Sequence, residues 1–195
     1  MKIKELRKMF NDKYTIKKSL GNGGNAIVYL ACDDKTQEEF ALKILENTGA
    51  TDFKEKCDRF IIEAKKVFEL QSAFKGIIPI GEFHLPDEIH DSLYWYTMPV
   101  ATIIKKHFNE NINIIDIVKC IIELSNTLAD LHDLDIVHRD IKPSNLYHYN
   151  GQFCLADFGL VDYPEKEDIT KTNEQIGAKA TIAPEMKRNS KTADG

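Results

Sequence analysis

Tyr14–Leu20 reads as a strand, and so does Ala26–Cys32. Between them, Gly21-Asn22-Gly23-Gly24-Asn25 is a run that no regular element tolerates, so it predicts a loop between strands. Asp33-Asp34-Lys35-Thr36 predicts a turn, and Glu39–Leu45 a third strand. A period of two sets Ala41 and Lys43 on one face of that strand, with Phe40, Leu42 and Ile44 on the other. The period then changes. Phe53, Cys57, Phe60, Ile61, Ala64, Val67, Phe68 and Leu70 form an apolar stripe that predicts a helix over Asp52–Gln71, with Glu63 within or beside the stripe. Gly76–Leu85 and Ser92–Met98 read as two more strands, joined by a polar turn around Pro86-Asp87-Glu88. Ile114–His132 is a long amphipathic helix with Asn113 as its N-cap. Its stripe of Ile114, Ile117, Val118, Ile121, Ile122, Ser125, Leu128 and Leu131 is expected to be core.

Composition narrows the function classes. The 195 residues include 26 basic and 31 acidic side chains, a net charge of -5, so a domain devoted to nucleic-acid phosphates is not expected. No apolar run is long enough to span a membrane, and Met1–Phe10 mixes charges with apolar residues, unlike a leader peptide. Cys32, Cys57, Cys120 and Cys154 are far apart, with no C-x-x-C pair and no histidine at ligand spacing. Reduced thiols in a cytoplasmic protein are expected, not zinc or disulfides.

The chemistry sits in a few short runs. Gly21, Gly23, Ala26 and Val28 spell G-x-G-x-x-A-x-V. Glycines let backbone N–H groups approach a phosphate, but a dinucleotide fingerprint leads from strand to helix. Here strand leads to strand, as in a kinase phosphate-covering loop. Ala41-Leu42-Lys43 follows on the third strand. Beyond the long helix come His138-Arg139-Asp140-Ile141-Lys142-Pro143-Ser144-Asn145, Ala156-Asp157-Phe158-Gly159 and Ala183-Pro184-Glu185. Lys43 and Glu63 are 20 residues apart, Asp140 and Asn145 are 5, and Asp140 and Asp157 are 17. The last two intervals suit two short strands whose ends meet at one metal site. In this order the runs resemble the eukaryotic-like Ser/Thr protein kinase family, from about Tyr14 to the end.

The resemblance implies an α+β, two-lobed kinase-like fold. A β-rich N-lobe with one helix would occupy residues 1–100, and a partial helical C-lobe residues 101–195. It implies ATP and Mg²⁺ as cofactors and a protein substrate. Lys43 would hold the α- and β-phosphates and Glu63 would pair with it; Asn145 and Asp157 would ligate Mg²⁺. Asp140 would accept or orient the substrate hydroxyl proton, and Lys142 would reach the γ-phosphate, which favours Ser/Thr over Tyr specificity. His138 would pack on Phe158. Val28 and Ala41 would roof the adenine, Met98 would be the gatekeeper, and Ala101 N–H would donate to the ring. Arg139, with Arg59, would clamp a phosphate on Thr170 or Thr172 placed there by an upstream kinase or by autophosphorylation.

The chain also departs from the family's pattern. Ala26 stands for the third glycine, Gly177-Ala178 for Gly-Thr, Thr181 for a common Tyr, and Tyr147 for an aliphatic adenine floor. The helical lobe of the family continues well past A-P-E, so a C-terminally truncated catalytic domain, inactive by itself, is expected, with the stripe of Ile114–His132 partly exposed where the family's further helices would cover it. Two alternatives are an ATP-binding pseudokinase or scaffold module, and a small-molecule kinase of the antibiotic-phosphotransferase type.

Overall fold

The computed structural model describes residues 6, 10, 13–22, 26–45, 53–86, 93–108 and 112–162. Gly23, the centre of the Pro86-Asp87-Glu88 turn, Thr170, Thr172, Gly177-Ala178, Thr181 and Ala183-Pro184-Glu185 lie outside them. The chain divides into two compact units, Met1–Ala64 with Pro79–Val100, and Lys65–Ile78 with Ala101–Gly195.

The first unit is an antiparallel sheet. Strands β1 (Tyr14–Asn22), β2 (Ala26–Asp33), β3 (Glu39–Leu45), β4 (Phe83–His84) and β5 (Trp95–Met98) lie in the order β1-β2-β3-β5-β4. Two local chain features set the register of its central hairpin. The Asp33 carboxylate accepts from Lys35 N at 2.8 Å and Thr36 N at 3.0 Å, which closes the β2–β3 turn. The period of two then sends Leu42 and Ile44 into a core with Leu6, Phe10, Tyr14, Ile16, Tyr29 and Ala31. Helix α1 (Phe53–Leu70) begins in this unit, where it buries Cys57, Phe60, Glu63 and Ala64. Phe68, expected in its stripe, is exposed.

Gly76–Leu85 is not a continuous strand, contrary to the pattern reading. Only Phe83–His84 pairs as a strand, and Ile77 makes an isolated parallel bridge to Leu155. Pro79 has no N–H to give a ladder. Ile77, Ile78 and Ile80 are buried all the same, so the apolar signal reported burial and not pairing.

In the second unit, β6 (Thr102–Ile103), β7 (Leu146–Tyr149) and β8 (Gln152–Leu155) form a three-stranded sheet in that order. A short helix α2 (Ile104–His107) follows β6, and α3 (Ile114–His132) lies against β8. Asn113 caps α3, its side chain accepting from Ile115 N at 3.0 Å. Cys120, Thr127 and Leu131 are the buried side chains of α3, and Glu123 accepts from Phe153 N on β8 at 2.9 Å. The wider stripe is not core. Ile114, Val118, Ile121 and Ile122 are exposed, because the buried face runs through 120, 127 and 131 and the stripe wraps past it. Gly76 sits against α3 so closely that a Cβ on it would lie 1.7 Å from Thr127 Oγ1. Its carbonyl accepts from Leu155 N at 2.8 Å, which fixes this segment to β8.

Candidate active site

The first group of candidate residues lies on one face of the five-stranded sheet. Directly paired residues of antiparallel strands point to the same side. Val28 pairs with Lys43, Lys43 with Tyr96, and Ala41 with Met98. These pairings therefore collect Val28, Ala41, Lys43, Tyr96 and Met98 on a single face, opposite to Leu42 and Ile44. Gly21 pairs with Val28 at the end of the β1–β2 hairpin, with open space where its Cβ would be. Ala26 opens β2 and is not among the residues with positive φ, so its methyl costs the backbone little there.

Glu63 comes to Lys43 from α1. Lys43 Nζ donates to both carboxylate oxygens, at 2.7 and 2.8 Å, and both side chains are largely withdrawn from solvent. Tyr96 Oη donates to Glu63 Oε1 at 2.8 Å, and the lysine ammonium lies 5.5 Å from the centre of the Tyr96 ring. Burial, reinforced by the charge of Glu63, pushes the Tyr96 phenol well above its ordinary value. It therefore stays a donor at any working pH.

The second group lies in the unit containing β7 and β8. Those strands end together: Leu146 pairs with Leu155, and Ala156 N donates to Asn145 O at 2.9 Å. Asn145 and Asp157 flank the open end of this hairpin, as the intervals in the sequence require. Asn145 Nδ2 donates at 2.9 Å to both Asp140 O and Asp140 Oδ2, and Lys142 Nζ donates to the same Oδ2 at 2.6 Å. The Asp140 carboxylate is thus buried between an amide and an ammonium.

His138 braces this loop from below. Asp140 N donates to His138 Nδ1 at 3.3 Å, so the ring proton sits on Nε2, which donates to Ala156 O at 3.2 Å. Its ring meets that of Phe158 edge-on at 4.8 Å. Arg139 and Asp157 both have positive φ, 65° and 69°. An aspartate visits that region readily and an arginine does not. Arg139 is held there by the bridge between Val137, two residues earlier, and Asp162, with N–H···O distances of 2.9 and 2.8 Å, and by an ion pair with the Asp162 carboxylate.

The protein kinase domain family matches residues 14–194. The chain belongs to the protein kinase family. It is 32% identical over 188 residues to the serine/threonine-protein kinase PrkC of Bacillus subtilis, covering 93% of this chain and 28% of that protein. It is 29% identical over 193 residues to the probable serine/threonine-protein kinase PknB of Lactococcus lactis, covering 95% of this chain and 30% of that protein. With human calcium/calmodulin-dependent protein kinase type IV it shares 31% over 189 residues, 93% of this chain and 37% of that kinase. The chain therefore spans about a third of the length of these relatives. As a kinase-family sheet with an added helix and a second, more helical unit, the fold is of the expected α+β class. No helix among the described residues is long and apolar enough to cross a membrane.

The donor set suits the magnesium that the family implies. With the Asn145 amide nitrogen turned to Asp140, its oxygen faces the other way, where it accepts a long bond from Ser144 Oγ at 3.4 Å. One amide oxygen and the Asp157 carboxylate are hard ligands of the kind Mg²⁺ takes in ones and twos beside phosphates and water. Among the described residues no cluster of three or more His, Cys, Asp and Glu could hold a metal unaided.

The sequence reading missed Tyr96; it named Asp162 only with Glu165, Glu167 and Asp168, as an acidic loop that could serve the arginines without a phosphate, and the Arg139–Asp162 ion pair is of that kind. For Tyr96 a signal was present: it stands two residues before Met98, so it must share the face of Met98, Ala41 and Lys43 once the strands pair. For Asp162 the signal was only its place in an acidic run, because its bond to Arg139 depends on the chain folding back after D-F-G.

Proposed function

We propose that the chain carries the catalytic machinery of a Ser/Thr protein kinase that transfers the γ-phosphate of ATP to a protein hydroxyl. The observation that carries this reading is the buried Asp140 carboxylate, held by Lys142 and Asn145 at the end of a hairpin whose other end is Asp157. Lys43, anchored by Glu63, binds the α- and β-phosphates. Gly21, Gly23 and Ala26 bring backbone over the phosphates, and Val28, Ala41, Met98 and Ala101 enclose the adenine. Asp140 orients the acceptor hydroxyl and takes its proton as the new O–P bond forms. The bond from the γ-phosphorus to the bridging oxygen breaks, and ADP leaves. Lys142, an ammonium beside Asp140, offsets charge on the transferred group. Mg²⁺, held by Asn145 and Asp157, would supply neutralisation of phosphate charge.

The site works on a cytoplasmic protein substrate. Thr170 and Thr172 are the proposed acceptors for an upstream kinase or autophosphorylation. A phosphate there competes with carboxylates already in place, since Arg139 is paired with Asp162 and Arg59 with Glu55.

The test uses the full-length protein, radiolabelled ATP and a panel of Ser/Thr peptides. Lys43→Met and Asp157→Ala each lower transfer by about a hundredfold or more, whereas Asp140→Asn abolishes transfer yet still binds Mg-ATP. Wild-type turnover in Lys43→Met overturns the assignment. Binding of Mg-ATP by the wild type without any transfer marks an ATP-binding scaffold instead.

A further inference from the structure

The Lys43–Glu63 pair has a third member. Tyr96 is buried on β5, directly across the ladder from Lys43, and its hydroxyl donates at 2.8 Å to the Glu63 oxygen that also takes Lys43 at 2.7 Å. Two donors thus converge on Glu63 Oε1 from the sheet, while Oε2 receives Lys43 alone among these three groups. The ring of Tyr96 also packs against Phe60, one turn before Glu63 on α1, with centroids 5.1 Å apart.

We propose that Tyr96 is a positioning residue: its hydroxyl and ring lock the Glu63 segment of α1 onto the sheet, and so set where Lys43 presents its ammonium to the nucleotide phosphates. The second half of that statement rests on the kinase reading above. The physical case is one of geometry and competition. A carboxylate whose only sheet partner is a flexible lysine can turn with the lysine, and both can leave the site together. A tyrosine hydroxyl sits on a rigid ring with two side-chain torsions, so it fixes one carboxylate oxygen in space. The lysine must then come to the carboxylate, which does not follow it. A buried carboxylate that loses one of its donors is also left under-satisfied, which loosens the helix that carries it.

Tyr96→Phe separates the parts cleanly, since it keeps the ring against Phe60 and removes only the hydroxyl. Tyr94→Phe is the control. Tyr94 is a buried tyrosine of the same unit whose hydroxyl bonds to Cys57, on the same helix but away from Glu63. In full-length protein, two quantities are measured: hydrogen exchange of the α1 amides from Phe60 to Ala64, and the Kd for Mg-ATP by titration calorimetry. Tyr96→Phe is expected to speed that exchange several-fold and to raise the Kd about fivefold, while Tyr94→Phe lowers the melting temperature but leaves both readings near wild type. The proposal is overturned if Tyr96→Phe leaves either reading unchanged, or if Tyr94→Phe moves both equally, which marks the hydroxyl as merely structural. A wild-type protein that binds no Mg-ATP sinks the kinase reading instead. The exchange ratio of the two variants then decides by itself whether Tyr96 positions Glu63.

Discussion

Arg139 occupies a left-handed backbone conformation that an arginine rarely visits, and the residue that follows it is Asp140. Asp162 meets the buried guanidinium with a carboxylate, so Asp162→Asn is expected to cost about 2 kcal/mol or more in urea unfolding, read from the midpoint. An unchanged midpoint would mean that the backbone bridge to Val137 suffices. Cys154 illustrates a different residue-level effect. Burial pushes its thiol up to about 11, so thiolate is scarce at neutral pH. Iodoacetamide at pH 7.5 should therefore leave Cys154 unmodified in the folded protein and label it on denaturation, as mass spectrometry can show. At this scale, the sequence was most legible where chemistry needs a residue type at a fixed interval. Lys43, Glu63, Asp140, Asn145 and Asp157 were picked out because the runs that carry them resemble the kinase motifs, and for Glu63 the resemblance alone supplied the role. Contacts made by folding back left no interval to read: Asp162 could be named only as one of several acidic residues near the arginines, not as the partner of Arg139.

Periodicity located the elements well where a single face is buried, as in β1 to β3, α1 and α3. It failed where an apolar run is buried without a ladder, at Ile77, Ile78 and Ile80, and where a stripe is wider than the face that packs, on α3. That wide stripe predicts behaviour. Ile115 and Ile122 are 68% and 53% exposed, so replacing both with Glu should lower light scattering in concentrated samples with little change in melting temperature. The glutamate at 115 also falls in the first turn of α3, where negative charge is favourable. A large drop in melting temperature would show that this face is packed in solution.

The β7 hairpin carries a pH response. Burial, then the His107 ring stacked at 4.0 Å, then Lys119 hold the His148 imidazole below its ordinary value, against an opposing pull from Glu123. The unfolded chain therefore binds a proton near pH 6.5 that the folded one refuses until lower pH. His148 contributes its full stability above about pH 6.5 and loses it as pH falls through the folded value. Urea midpoints at pH 7.5 and 5.5 should differ more in wild type than in His148→Gln, and equal differences would refute the effect.

At the scale of the whole molecule, the two units can be watched separately. The chain has one tryptophan, and Trp95, partly buried, packs against the core of the first unit, 5.3 Å from the Phe10 ring and 6.0 Å from that of Tyr14. Its fluorescence therefore reports on the sheet of β1 to β5. Far-ultraviolet circular dichroism draws on α3, in the second unit, together with α1, which begins in the first. Leu42→Ala should shift the fluorescence transition by about 2–5 kcal/mol of stability, and Leu131→Ala should act chiefly on the dichroism transition. If both probes move together in both variants, the units melt as one cooperative system.

The contact between Gly76 and Thr127 also bears on heredity. Besides the 1.7 Å approach to Oγ1, a Cβ at position 76 would lie 2.8 Å from the Cβ of Thr127. Trimming Thr127 to alanine leaves that second collision in place, so no single compensating change short of a glycine inside α3 makes room. Every missense change at codon 76 is therefore a dead end that a second mutation at codon 127 cannot reopen cheaply. Among living descendants of this gene, the two positions should look frozen, with no correlated pairs to betray that they touch.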